Sequence, residues 1–592
     1  MPDTPQTTYE FGPFRCLPRE RRLLRDGEPV RLAPKVFDVL LFLVENPGRL
    51  IEKDEFLNRL WPGTFVEEVT LAHSISELRK SLGNGQSSPY IETVAKRGYR
   101  FTARVNVIRQ APELVTPHRV LAVLPFENLS AEADREYVAD GLTEEVIAVL
   151  GQIDPERLSV IGRTSVMAYK GAKKSLFEIG RELGATLLVE SSLRGEAGRM
   201  RITSNLVRAA DQVQVWSASF DREPNSMLTL QRDLSATIAE QIHLRLSPER
   251  LDALKRRQAH SPEAYDWYLH GRYFWNHFTP STTERAIACF TRSTELDPDY
   301  ALAWAGLADA YASGPISADA RPADVWEKGR QAAQRAVTIA PDLAEAHSAL
   351  GYVKFWLDWD WPGAESALRS AIALDPSYSL AHRMLGILLA HMGRNEEETR
   401  LAMQRARALD PLQAMHHALS AQVAFVLRDY PVAIEFGRQA TVVVPGFWIG
   451  YYQLAQAHEQ RREYEHALNA LAKAAGFSGN NSKLLSLRGY VLAKMGRHDE
   501  ARAVLETLAA LSQERYVPPY AAALVYAALG DRDDVYRALD RAFEAHDVHL
   551  ALLPADPKWD EFRADRRFIH LLKRCGLPTG ASEGMGASSD RL

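Results

Sequence analysis

Cysteine is scarce in this chain. Three occur in 592 residues, Cys16, Cys289 and Cys575, far apart and with no CxxC spacing. That excludes a disulfide framework and a paired-cysteine zinc site, and it fits a reducing compartment. Long apolar runs are missing too. The densest, VFDVLLFLV at 36–44, is short, carries Asp38, and falls well below the ~20 residues that span a bilayer. The opening MPDTPQTTYEF has no basic segment followed by an apolar stretch, so no secretory leader is expected. Positive charge is in slight deficit, with 71 Lys and Arg against 76 Asp and Glu. These absences point to a soluble cytoplasmic protein with no membrane partner. Its length calls for three or four domains.

What positive charge there is lies unevenly. Between 69 and 104 stand Arg79, Lys80, Lys96, Arg97, Arg100 and Arg104, opposed only by Glu77 and Glu92. A basic patch on an acidic chain is a local footprint for a polyanion. Lys96 and Arg97 fall at the tip of a predicted hairpin, YIETVAKRGYRF at 90–101. A solvated turn is the plain alternative.

The first hundred residues read as short strands over 9–32, then three helices, then that hairpin. Pro34 suits a first helical turn, and Pro47-Gly48 stops the first helix. The second, EKDEFLNRLW, ends at Pro62-Gly63. In the third, about 69–82, Leu71, Ile75, Leu78 and Leu82 fall on one buried face. Thr70, Ser74, Glu77 and Ser81 form a flank, His73, Ser76 and Lys80 lie opposite the apolar stripe, and Arg79 sits on the other edge. A helix of short polar side chains bordered by cations can enter a major groove. It can equally be a solvated surface helix.

LAHSISELRKSLG followed by YIETVAKRGYRF resembles the signature of the OmpR/PhoB-type winged-helix DNA-binding domain, over residues 8–105. The resemblance implies an α+β winged helix whose third helix lies in the major groove of promoter DNA. It implies that Thr70, Ser74 and Glu77 face bases or phosphates, that Arg79 contacts backbone, and that Lys96 and Arg97 occupy the wing. With the neighbouring His73, Ser76, Lys80 and Arg100 they make up the candidate DNA-binding set. Glu77 stands where many relatives carry Arg, and Lys96 where the wing commonly has glycine. The loop 61–68 matches a segment that can touch RNA polymerase in that family, although Trp61 reads as a core anchor. Two wings per site, hence a dimer on DNA, is a further implication. No receiver domain is expected ahead of the module.

Residues 106–118 read as a linker with two prolines. Strand and helix then alternate over 119–247, which argues for an α/β domain. LAVLPFENLS, ADGLTEEVI and IGRELGATLLVESSLR resemble the domain related to the amino-terminal part of TolB. No phosphate-loop, dinucleotide, nucleophile-elbow or metalloprotease motif occurs there. No catalytic residue, cofactor or metal ligand is therefore expected. Asp140 and Glu144-Glu145 read as carboxylates in a helix N-terminal region, where they suit the dipole.

From 262 to 556 the chain repeats. Pro298, Pro341, Pro376, Pro411 and Pro445 are spaced by 43, 35, 35 and 34 residues. With AWAGLADAY at 303–311, this resembles a tetratricopeptide (TPR) array of about eight helix pairs, weakest at 412–445. Such an all-α solenoid implies an open concave groove for a protein or peptide partner. The insertion at Gly314–Pro322 is expected in a loop. WLDWDW, with Trp356, Trp359 and Trp361, reads as packing, and so does His416-His417. Residues 557–577 are expected to form a capping helix, and 578–592 a disordered tail. The expected function is one-component bacterial transcriptional regulation, related to ToxR/CadC-type regulators but without their membrane helix. An adaptor acting through protein contacts is the alternative.

Overall fold

The computed structural model describes residues 7–18, 21–25, 28–30, 32–60, 68–83, 90–109, 119–129, 136–153, 157–196, 199–222, 234, 237–238, 240–241, 259–275, 280–317, 319–478 and 481–579. Loop 61–67, most of the linker and the tail from 580 lie outside them. The chain divides into two units, Met1–Pro117 and His118–Leu592.

The first unit runs β1 (Thr7–Phe11), β2 (Phe14–Leu17), β3 (Arg22–Arg25), β4 (Glu28–Val30), α1 (Pro34–Glu45), β5 (Leu50–Glu52), α2 (Lys53–Leu60), α3 (Glu68–Leu82), β6 (Ile91–Val94), β7 (Gly98–Phe101) and β8 (Asn106–Arg109). Strands pair in the order β4-β3-β2-β1-β8, and a second sheet runs β5-β7-β6. This is a winged helix. Pro34 begins α1 at a position whose N–H has no helical partner. Phe11, Phe37, Leu40, Phe56, Ile75 and Phe101 form its core. The three-residue β5 escapes sequence reading because its pairing with β7 is non-local.

The second unit opens with β9 (Arg119–Val123), β10 (Glu127–Asn128), α4 (Glu136–Ile153), β11 (Leu158–Val160), α5 (Arg163–Met167), α6 (Leu176–Leu183), β12 (Leu187–Glu196), β13 (Arg199–Arg208) and β14 (Val213–Arg222). The sheet order is β11-β9-β12-β13-β14. β11, β9 and β12 are parallel, and β12, β13 and β14 antiparallel. Leu121, Ala122 and Val123 are all fully buried, because one core packs on each face of the parallel part.

Eight helix pairs follow between Pro262 and Glu544. The stretch 412–445 is one of them, Ala414–Val426 with Tyr430–Val443. Alanines such as Ala303, Ala333, Ala349 and Ala421 are fully buried where helices meet closely. The 43-residue spacing is absorbed by helix extension rather than a loop alone, since Ala301–Ser317 runs through Gly314 and Pro315. The cap is not one helix either. It is two 3-10 segments, Val548–Leu552 and Pro557–Phe562, then the helix Arg566–Arg574.

The array departs from an open groove. Its C-terminal end returns to the early repeats. The His546 ring stacks on Trp326 at 3.9 Å and on Trp359 at 3.8 Å, with Nε2 2.7 Å from Leu357 O. Trp361 Nε1 donates to Cys575 O at 3.1 Å. Lys558 is buried and donates to Gln456 Oε1 at 2.7 Å. The C-terminal end also lends His549, Leu552 and Asp556 to a cavity lined by the earlier repeats, where an open groove was expected. Trp356 and Trp361 are core residues. His416 and His417 are buried, and the described residues contain no metal-binding cluster.

The α/β domain packs directly on the array. Asp410, in the second A-L-D-P turn, accepts from Ser165 N at 2.7 Å and from the Ser165 hydroxyl. Gly162 is required here, since a Cβ would lie 2.6 Å from the Asp410 carboxylate. Glu144 pairs with Arg163 at 3.2 Å and with Arg272 of the first repeat. Asp140 pairs with Lys170. These carboxylates therefore carry ion pairs, Glu144 bridging the two modules, beyond any service to a helix dipole.

Candidate nucleic-acid interface

α3 buries Leu71, Ile75, Leu78 and Leu82. That stripe sets the opposite face. Thr70, His73, Ser76 and Lys80 are exposed, and Glu77 and Arg79 are half-buried. Ser74 corrects the expectation. It is 6% exposed, and its hydroxyl donates to Thr70 O at 3.0 Å, one turn back. It lies too near the apolar stripe to face a groove.

Arg79 joins helix to wing. Its Nη2 donates to Ile91 O at 2.8 Å and to Thr93 Oγ1 at 2.7 Å, both on β6. Both bonds come from Nη2, and the residue stays half-exposed. Thr93 was invisible to sequence reading, since its partner lies on another element.

The wing is β6, a turn over Ala95–Arg97, and β7. Arg97 N donates to Val94 O at 3.0 Å to close the turn. Gly98 is dictated by close approach, because a Cβ there would sit 2.0 Å from Ile51 O. Lys96 takes φ +62°. A left-handed backbone costs a non-glycine residue roughly 1–2 kcal/mol, which is why glycine suits this position. The lysine ammonium has no ion-pair partner among the described residues. Arg97 meets Glu52 at 3.4 Å with both groups about 60% exposed, a weak surface pair. Arg100 is paired across the hairpin with Glu92 at 3.0 Å, which offsets its charge.

Val69, at the start of α3, is 72% exposed, an apolar residue off the buried stripe. Cys16 is structural, its thiol pushed up to about 12 by burial.

Residues 27–101 match the family of transcriptional regulatory proteins, C-terminal domain. Residues 117–238 match the second domain of HilA/YgeH-like transcriptional regulators. The first unit is therefore an OmpR/PhoB-type DNA-binding domain, and a HilA/YgeH-like second domain follows it. The chain is 25% identical to the transcriptional regulator HilA of Salmonella typhi over 306 residues, 52% of this chain and 53% of that one. It is 30% identical to putative adenylate cyclase 3 of Rhizobium meliloti over 202 residues, 34% of each. It is 35% identical to the transcriptional activator CadC of Escherichia coli over 102 residues, 17% of this chain and 20% of that one. The matched region spans between a fifth and about half of these relatives' lengths.

Proposed function

We propose that this protein is a transcriptional regulator that binds double-stranded promoter DNA through its first unit. The observation that carries the reading is the pairing of α3 with the wing. Arg79 fixes the exposed face of α3 beside a hairpin tip that presents Lys96 and Arg97 to solvent. In this reading Thr70, His73, Ser76 and Glu77 enter the major groove, and Lys80, Lys96, Arg97 and Arg100 neutralise backbone charge. Arg79 positions the two elements, and Ser74 supports the helix from within. The chain acts without catalysis, in the cytoplasm, and as a dimer on paired sites. Contact of loop 61–68 with RNA polymerase is part of the same proposal. No helix among the described residues is long and apolar enough to cross a membrane. The α/β domain and repeat array receive the signal or a protein partner.

Glu77 supplies the test of base reading. A carboxylate accepts from cytosine N4 and repels phosphate. Duplexes selected from a randomised pool by the parent and by Glu77→Gln should differ at one base position, with total affinity changed little. Identical selected sites would remove Glu77 from the reading face.

A further inference from the structure

The closed interior of the repeat array holds a cavity of about 120 Å³. One buried water needs only ~10–15 Å³ on the same measure. Apolar walls come from Tyr352, Trp356, Met384, Ile387, Phe425 and Tyr452. Polar groups on the same walls have no partner among the described residues: Asp309 Oδ1, Arg383 Nε, Trp356 Nε1, His391 Nδ1 and His549 Nε2. Asp309, Arg383, His391 and His549 are 4%, 6%, 1% and 6% exposed. A buried unpaired group gives up its hydration without a replacement, and native interiors hold few of them. Five on the walls of one space are positions that solvent or a polar ligand can satisfy.

Charge chooses the occupant. Arg383 and Lys483 bring two cations to the walls. Asp556 on the same walls is already paired with Lys558 at 2.8 Å, and Lys483 Nζ donates one bond to Ile316 O at 2.7 Å. Burial pushes Asp309 up to about 7, so it carries only part of its charge at neutral pH. Lys483 is pulled down to about 8 by burial and stays largely protonated. The balance is positive.

We propose that the interior of the repeat array binds a small organic anion, a carboxylate on an aromatic or aliphatic skeleton, gripped by Arg383 and Lys483. Arg383 also links this site to the α/β domain. Its Nη1 lies 3.3 Å from His416 Nδ1. Both residues line a second cavity, of about 130 Å³, together with Glu144, Arg163 and Asp410, the groups that join the two modules. An anion held by Arg383 therefore acts on the contact that holds the α/β domain to the array.

The test is calorimetric titration of the full chain with indole-3-acetate, phenylacetate and octanoate, each beside its uncharged amide. No DNA is present, so the result is independent of the DNA-binding reading. At least one acid should bind about tenfold or more tighter than its amide. Lys483→Gln, at a half-buried position that spares the core, should weaken that acid about tenfold, and Arg383→Gln should do the same with helicity retained. Failure of all three acids to bind at millimolar concentration overturns the proposal. So does equal binding of acid and amide, or unchanged binding by Lys483→Gln. Capture of a peptide in place of any acid would overturn it too.

Discussion

Arg79 makes its two bonds to β6 from the border of α3. Replacing it with Ala removes a charge-assisted clamp that is half in solvent, at a cost of about 1–2 kcal/mol. DNA affinity should fall while the salt dependence stays near the parent's, because no phosphate contact is lost. A fall in slope of one full unit would return Arg79 to the backbone-contact role. Periodicity showed Arg79 at the edge of the helix but not its partners, which lie 12 and 14 residues away on a strand. Ser74 shows the same limit, since helical spacing places it on a flank and packing turns it inward. Asp309 makes a prediction in pH. Its carboxyl is raised to about 7, chiefly by burial. Below the unfolded value near 4 the stability linked to this group is fully present, and it is lost as pH rises through about 7. His391 acts oppositely. Burial lowers it to about 4, so its contribution is present above the usual histidine value and lost as pH falls through about 4. Asp309→Asn should therefore gain stability over the parent at pH 8 relative to pH 5 in urea unfolding. An equal difference at both values would contradict the assignment.

The helix pairs were legible because proline and small residues recur at fixed spacing. The uses made of equivalent residues were not. Asp297, Asp375 and Asp410 hold the same place in three of the repeats, with Ala340 in the one between the first two. Asp297 accepts from Asp299 N at 3.2 Å and from His260 N at 2.5 Å, 37 residues back in the segment that enters the first repeat, and Asp375 accepts from Ser377 N at 2.9 Å. Asp410 instead binds Ser165, 245 residues away. No repeat pattern carries that information. Asp410→Ala should leave buried donors of Ser165 unpartnered and cost about 2–3 kcal/mol. Amide exchange should rise over 158–167 while α3 and the wing keep their protection. Unchanged exchange over 158–167 would mean the contact holds nothing. The other elements hidden from sequence were short ones, β5 and the 3-10 segments 548–562, which depend on partners far along the chain.

For the molecule as a whole, the order of modules was readable and the closure of the array was not. Each helix pair predicts only its neighbour. The return of the C-terminal end to Trp326 and Trp359 turns on one histidine and two aromatic faces. Closure moves the functional question from a peptide groove to an interior site. The charge distribution bears on the central claim. A chain of net charge −5 concentrates cations between 69 and 104 of its first unit, where Lys80, Lys96, Arg97 and Arg104 are exposed. The direct measurement is log affinity for duplex DNA against log salt, for the parent and for the double variant Lys96→Ala, Arg97→Ala. Each neutralised phosphate contributes a slope of about 0.9. The account predicts a steep parent dependence and a double variant flatter by about 1–2 units, with affinity reduced on every sequence. A flat parent dependence, or a double variant that follows the parent's line, would contradict it.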